Sequence, residues 1–399
     1  MHPRGARRTR DVRRKAALVE FGWSTAEAEY RAAIREFVEA ELAANKSNVG
    51  ISGVASRRSV GRSFEFAAKL AERGWLTPHW PAEYGGSDAT AWEHIILGEE
   101  MWSRGEPRGP QYMNVNWIGP AIMAAGTAEQ KEYHLKRISA GDVIWCQGFS
   151  EPDAGSDLAS LNTTAIRDGD EYVVNGQKIW TSYANSAEYC FLLVRTDTKA
   201  EKHHGISILL TPTATPGLEI RDIRGIVGEH AFHHLYFTDM RVPVSCRLGP
   251  ENEGWAVVRR ALSYERVGSP RYARAAFMLD EIARWAHAHG KLTDPAVAER
   301  LVLAKARCEA ARLLAYCVID DRNKQRPPGP NAYVARVAMV QADRAVGELA
   351  LDIMGSEGLA ANSLADEQFR SALPAGVAAG TLEVQLNLVS RAVLGLPRS

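Results

Sequence analysis

The sequence predicts an α+β multi-domain protein, and three observations carry that reading. Apolar residues recur at helical spacing through roughly the first 140 residues, give way to strand-length runs from about Ile144, and return to long helical patterns after Glu253. The boundaries that follow are 1–20 for a basic tail, 21–143 for an N-terminal helical domain, 144–250 for a central β-domain and 251–399 for a C-terminal helical bundle. A chain of 399 residues with 46% hydrophobic content is long enough for two or three domains with sizeable cores.

Taken in order, Met1 to Lys15 is dense in arginine and has no apolar run, so it is not a secretory signal. It predicts a disordered basic arm or an early start, with a transit peptide as the alternative, because so short a basic stretch cannot bury enough apolar surface to order itself. Ser24 with Glu27 makes a capping box ahead of Tyr30, Ile34, Phe37 and Val38. A second helix is predicted over Phe64 to Arg73, closed by Gly74. Trp75 to Gly86 is a Pro and Gly loop, and Thr90 with Glu93 and Thr127 with Gln130 open further helices.

Strands follow. Thr163 to Ile166 and Glu171 to Val174 flank Asp168 and Gly169, and Asn175 with Gly176 predicts a second tight turn before Gln177 to Trp180. Tyr189 to Arg195, Gly205 to Thr211, Gly217 to Ile223 and His234 to Thr238 continue the β-domain. Helical patterns then cover Trp255 to His289, Ala296 to Lys324, Ala332 to Met354 and Ala379 to Val393, with RPPGP at Arg326 to Pro330 as the strong break. There is no internal repeat.

Composition narrows the function. Lys and Arg together number 48, as do Asp and Glu, so no net field favours nucleic acid or an anionic membrane. The five cysteines form no CxxC pair, which suits reduced thiols and a cytoplasmic protein. No apolar run approaches the roughly 18 residues of a membrane span.

The densest motif is Trp145 to Ser182, WCQGFSEPDAGSDLASLNTTAIRDGDEYVVNGQKIWTS. Its GFSEPDAGSD part sets hydroxyls at Ser150 and Ser156 on either side of a glycine turn. Together with spaced motifs running in order from about Trp23 to Arg398, this stretch resembles the flavin-facing segment of the acyl-CoA dehydrogenase family. The resemblance implies the acyl-CoA dehydrogenase fold: N-terminal α-helical domain, central β-domain and C-terminal four-helix bundle. It also implies FAD as cofactor, which accounts for the lack of a GxGxxG after any strand, since this family does not use the Rossmann phosphate loop.

Desaturating a thioester between Cα and Cβ needs a base for the α-proton, an acceptor for the β-hydride and donors on the carbonyl oxygen. By resemblance the acceptor is flavin N5, with Gln147, Phe149 and Ser150 lining the ring on one side and Trp180, Thr181 and Ser182 on the other. Ser156 is expected near the pyrophosphate and substrate, and Thr381 and Glu383 at the adenosine end. Many members carry the base immediately before the GT of a C-terminal GTxE segment, but this chain reads AAGTLEVQ, with Ala379 in that place. A methyl group cannot take a proton. In the isovaleryl-type branch the glutamate precedes an arginine on a helix of the C-terminal domain, a position matched by Glu265 and Arg266. Glu265 is the expected base, Arg266 its supporting cation and substrate contact, and the Ala379 main-chain N–H an oxyanion donor beside a ribityl hydroxyl.

The expected partners are an acyl-CoA substrate and an electron-transfer flavoprotein as acceptor. A same-fold oxidase, flavin-dependent hydroxylase or carrier-protein thioester dehydrogenase is the alternative chemistry, and a non-catalytic subunit the alternative role. The wording of the chain resembles actinobacterial members, some of which take bulky steroid side-chain thioesters. Two positions depart from the family. The cross-subunit arginine of an RKxFG segment falls at Lys291 in GKLTDP, and the glutamine of a QxxGGxG segment at Asp352 in DIMGSEG. Both weaken a neighbour's hold on flavin phosphate, so a homo-oligomer (dimer or tetramer) competes with a heterotetramer containing a related subunit. His203, His204, His230, His233 and His234 form no expected metal site, because adjacent strand residues point to opposite faces. They are expected at the surface or the substrate rim.

Overall fold

The computed structural model describes residues 23–44, 57–226, 228–259, 270–326, 329–378 and 380–397. The predicted basic arm 1–20 lies outside the described residues.

The N-terminal domain contains α1 (Thr25–Ala44), α2 (Arg57–Glu72), α3 (Ala91–Ser103), α4 (Gly119–Ala125) and α5 (Ala128–Ala140). α1 starts as its sequence predicts: Ser24 N–H donates to Glu27 Oε2 (2.9 Å) and Glu27 N–H to Ser24 Oγ (3.3 Å). The same reciprocal box opens α3 and α5. α2 begins at Arg57 rather than Phe64, because its polar first turns carry no apolar period to read. Ahead of α4 the chain widens into a π-turn at Asn114–Ile118. Trp80 lies beneath it and donates its indole N–H to Val115 O at 2.9 Å. A Cβ on Gly119 would sit 2.2 Å from that indole, so only glycine admits the ring.

The central domain is an eight-stranded sheet. Its strands are β1 (Trp145–Gly148), β2 (Thr164–Asp168), β3 (Glu171–Ser182), β4 (Tyr189–Arg195), β5 (Ile206–Pro212), β6 (Leu218–Gly225), β7 (Gly228–Pro243) and β8 (Arg247–Leu248). The order is β6-β7-β3-β2-β4-β5-β8, with β1 alongside β4 in parallel. β4 and β5 are buried almost throughout, and the sheet shares one apolar core with the N-terminal helices.

Two strand expectations are corrected. Asn175 and Gly176 do not turn the chain; β3 runs through them with a register shift between Val174 and Gly176. Gly176 lies where a Cβ would meet Thr163 at 2.6 to 2.9 Å, and Asn175 Nδ2 donates to Asp239 across the sheet at 3.0 Å, which is a bulge used for close approach. β7 is also longer than His234 to Thr238. Its alternation is hidden because a polar residue, His233, occupies the inward face with Leu235 and Phe237.

The bundle comprises α6 (Arg271–Ala288), α7 (Pro295–Asn323), α8 (Asn331–Met354), α9 (Leu364–Ala375) and α10 (Leu382–Ala392). α8 packs against each of the other four. Buried alanines such as Ala275, Ala304, Ala335 and Ala350 let these helices approach closely in a core of their own. α9 has no counterpart in the sequence reading: LADEQFRSALPA is short and carries an internal proline, which argues against a helix. The last helix starts at Leu382 rather than Ala379, capped by Thr381. Bundle and N-terminal domain meet at Glu99 of α3, whose Oε1 accepts from Tyr272 (2.7 Å) and Tyr316 (2.8 Å) while Oε2 accepts from Arg31 (2.5 Å).

Candidate functional site

The parallel register of β1 against β4 places Gln147 opposite Phe191 and Gly148 opposite Leu192. A side chain at 148 would strike Leu192 (2.8 Å) and Cys190 Sγ (2.9 Å), so glycine is required where the chain leaves the sheet. Phe149, Ser150 and Glu151 are then drawn against β3. Ile179 N–H donates to Ser150 O at 2.8 Å, and the buried Lys178 ammonium donates to Phe149 O (2.9 Å) and Glu151 Oε1 (2.8 Å). Glu151 also accepts from the N–H groups of Asn162 (2.6 Å) and Thr163 (2.9 Å). Burial would raise this carboxyl, but the charge and hydrogen bond of Lys178, with the Thr163 and Asn162 contacts, hold it below its ordinary value. Burial in turn lowers Lys178 to about 8, against the pull of Glu151.

The facing strand is irregular where it matters. Pairing of β3 with β7 slips between Lys178 and Thr181, and Trp180 (φ +61°) and Tyr183 (φ +62°) lie in the left-handed region on either side of Thr181 and Ser182. Trp180 is thereby turned outward, 57% exposed, with Phe232 edge-on at 6.2 Å. Thr181 is buried and its hydroxyl has no hydrogen-bond partner among the described residues. Its carbonyl accepts from His233 Nδ1 at 3.0 Å, which places the Nδ1 proton, and His233 Nε2 lies 3.2 Å from Asp222 Oδ1. His233 is therefore fully buried, contrary to the expected surface or rim position, because it anchors the irregular strand. His234 is half-buried, and His203 and His204 are exposed. The side chain of His230 lies outside the described residues. Among the described residues no three His, Cys, Asp or Glu side chains group as metal ligands.

The structure thus brings Gln147, Phe149 and Ser150 beside Trp180, Thr181 and Ser182. An exposed indole, an orphaned buried hydroxyl and main-chain polar groups held by an irregular strand fit a flat polar heterocycle such as a flavin ring. Ser156 is exposed, just past Gly155. Its neighbour Asp157 accepts from Ser160 Oγ (2.5 Å) and Lys202 Nζ (3.3 Å).

The remaining sequence-predicted site residues belong to the helical bundle. Glu265, Arg266 and Ala379 lie outside the described residues. Pro270 follows the Glu265 segment and packs on α3, 3.3 Å from where a Cβ on Gly98 would sit. Arg271 donates to Asp343 Oδ2 (2.9 Å) and Ser371 O (2.9 Å), and Gln368 to Asp343 Oδ1 (2.7 Å), tying α6, α8 and α9 together. Past α9 the chain returns tightly, with Leu382 N–H on Gly376 O at 2.9 Å. Arg336 Nη2 from α8 donates to Ala375 O and Ala378 O, both at 2.8 Å. Thr381 Oγ1 accepts from Val384 N–H (3.2 Å), and Glu383 lies exposed in the first turn of α10, its carboxyl lowered by main-chain and Thr381 hydrogen bonds. A cavity of about 270 Å³ opens beside Leu382, lined by Arg307, Gln341, Arg344, Ala345 and Glu348.

Sequence reasoning missed Lys178, Glu151, His233 and Arg336 as organisers of the site. A lysine inside the predicted strand Gln177 to Trp180, with a glutamate inside the preceding motif, was a readable signal for the first two. Arg336 had none, because its partners are nearly forty residues away on another helix.

Profiles of the acyl-CoA dehydrogenase N-terminal, middle and C-terminal domains match residues 24–142, 146–240 and 252–394. Acyl-CoA dehydrogenase FadE26 of Mycobacterium tuberculosis is 35% identical, over 93% of this chain and 97% of that protein. Among solved structures, one described as the Tcur3481-Tcur3483 steroid ACAD superposes with a TM-score of 0.88 at 33% identity, covering 95% of this chain and 100% of that one. The ChsE4-ChsE5 complex from Mycobacterium tuberculosis superposes at 0.83 and 32% identity, again with 95% and 100% coverage.

Proposed function

The chain belongs to the acyl-CoA dehydrogenase family, whose members are FAD-dependent oxidoreductases, and from that premise we propose how its own residues divide the work. The observation that carries the reading is the Phe149–Glu151 loop locked by Lys178 against the irregular Trp180–Ser182 strand. Gln147, Phe149, Ser150, Trp180, Thr181 and Ser182 hold the flavin ring, Ser156 lies toward the pyrophosphate and substrate, and Thr381 and Glu383 toward the adenosine end beside the cavity at Leu382. FAD, when bound, supplies the acceptor for the hydride leaving Cβ.

Glu265 takes the α-proton, and a carboxylate in this role works best when burial against bound thioester lifts its pKa toward the operating pH. Arg266 supports its charge and contacts substrate. As negative charge moves onto the thioester oxygen, the Ala379 main-chain N–H receives it, a role that needs no side chain. The substrate is an acyl-CoA, and similarity to a protein described as a steroid ACAD favours a bulky, steroid-like acyl group. An electron-transfer flavoprotein is the proposed electron acceptor.

Two of the similar structures carry paired names, one of them an explicit complex, which favours assembly with a related subunit. The bundle leaves Val302, Leu303, Leu313, Leu386 and Leu394 largely exposed, as a surface awaiting a partner would. Anaerobic titration of the FAD-loaded protein with a panel of acyl-CoA thioesters should bleach the flavin with no nicotinamide present. NADH consumption as an obligatory step, with no thioester reducing the flavin, would move the chain to the hydroxylase reading. Isolation of the chain alone as a stable homotetramer with one tightly held FAD per subunit would exclude the related subunit.

A further inference from the structure

We infer that Asp222 and His233 form a side-chain relay that positions Thr181, so that a half-exposed carboxylate on β6 helps to set how the chain receives a flavin ring. The inference rests on the proposed place of Thr181 at that ring. The three residues share one row of the sheet: Asp222 of β6 pairs with His233 of β7, and His233 with Thr181 of β3. Along this row His233 Nε2 lies 3.2 Å from Asp222 Oδ1, and His233 Nδ1 donates to Thr181 O at 3.0 Å.

The ring stands where the sheet itself gives way. Pairing of β3 with β7 slips between Lys178 and Thr181, so the strand is not held there by a regular ladder. On either side Trp180 (φ +61°) and Tyr183 (φ +62°) are left-handed, a conformation that bulky residues keep only when their surroundings impose it. Two consecutive residues of β7 supply that constraint. Phe232 meets the Trp180 indole edge-on at 6.2 Å, and His233 holds the carbonyl of the next residue.

Charge strengthens the hold. With the Nδ1 proton committed to a carbonyl, contact between Nε2 and a carboxylate calls for a second proton on the ring. The relay is then an imidazolium with Asp222 as its counterion, and its bond to Thr181 O is charge-assisted. His233 is fully buried, whereas the Asp222 side chain is 48% exposed, so the pair is anchored from the solvent side. Fixing the Thr181 carbonyl fixes the backbone that carries the Thr181 hydroxyl, which is itself buried without a partner among the described residues. That hydroxyl is free to bond a ligand, and the relay keeps it in place without touching the ligand.

The test compares wild type with His233→Phe, His233→Asn and Asp222→Asn. FAD affinity is measured by equilibrium dialysis, the bound flavin by its visible spectrum, and the flavin-free protein by thermal melting. His233→Phe should weaken FAD binding by about tenfold and alter the spectrum, as expected when one charge-assisted bond is lost. His233→Asn, whose amide stands where Nδ1 does, should recover part of both. Asp222→Asn should give a smaller loss of affinity with the same spectral change, at an unchanged melting temperature, because its position is half exposed. Should His233→Phe fail to fold, Asp222→Asn decides alone. Unchanged FAD affinity and spectrum in Asp222→Asn overturns the relay. So does a lower melting temperature in His233→Phe with the bound spectrum unaltered, which would assign the ring to packing. Failure of wild type to bind FAD would instead defeat the flavin reading.

Discussion

The two halves of the site are built in different ways. The proposed cofactor side, residues 147–182, is nearly continuous in sequence and finds most of its partners within the β-domain: Lys178 bonds Phe149 O and Glu151, Glu151 accepts from Thr163 N–H, and Ser150 O accepts from Ile179 N–H. The proposed substrate side gathers Arg271, Arg336, Asp343, Ser371 and Ala378 from three helices and a return loop. One is a cassette that keeps its motif because its parts are neighbours. The other is a convergence of distant helices. The proposed assignment of the base to Glu265 rather than to the residue before GT belongs to that second half.

The comparison breaks first at the base. Glu265→Gln is isosteric and cannot accept a proton, so kcat should fall by at least about 100-fold with flavin and ligand binding retained. Steady-state turnover together with the flavin spectrum checks it. Retention of more than a tenth of wild-type kcat would place the base elsewhere.

The next largest effect falls on the cofactor side and tests whether it is self-contained. Lys178→Met leaves Glu151 buried without its cation and should cost roughly 3–5 kcal/mol, with FAD retention falling alongside. Adding Glu151→Gln should recover part of the loss in chemical denaturation. The pH dependence has a defined sign. Glu151 is held below its ordinary value in the fold, so its contribution is complete above the unfolded carboxyl value of about 4.3 and is lost as pH falls through the lower folded value. Acid should therefore release flavin from wild type over a window that Glu151→Gln lacks.

What was legible follows the same division. The three-domain order and the capping boxes at Ser24, Thr90 and Thr127 rest on local patterns, and the structure bears them out. The misreadings were also local. Asn175 and Gly176 carry turn chemistry but serve a bulge, since positive φ suits both, and only the cross-strand partner Asp239 decides between them. His233 looked like a surface residue because its partner, the Thr181 carbonyl, is main chain and leaves no trace in composition. α9 went unread although its period is amphipathic, because it is only twelve residues long and Pro374 stands inside it.

A smaller effect distinguishes packing from cofactor contact. Thr181 Oγ1 is buried without a partner among the described residues. Thr181→Val should be neutral or slightly stabilising in the flavin-free protein, because an unpaired hydroxyl is costly to bury, yet weaken FAD binding by about 1 kcal/mol. Thermal denaturation with and without FAD reads both signs. Equal effects in the two states would remove Thr181 from the cofactor contacts.

The smallest expected effect is at Asp352, where the resemblance implies a cross-subunit glutamine in the family. Placed near a neighbour's pyrophosphate, a free carboxylate would repel it, but here Asp352 is paired with Arg300 of α7 at 2.5 Å, with both side chains about half exposed. The charge is thus partly neutralised within the chain, and an exposed pair of this kind contributes about 0–1 kcal/mol. Asp352→Gln should accordingly shift denaturation by less than about 1 kcal/mol. Its effect on flavin depends on what lies across the interface. If a second copy of this chain faces Asp352, restoring the glutamine should tighten FAD retention measured by equilibrium dialysis. If a related subunit supplies that half of the site, dialysis of the assembled complex should show no change. A clear gain in retention by the chain alone would favour the homomer and narrow the contrast between the two sides, since the substrate-side bundle would then also serve the flavin.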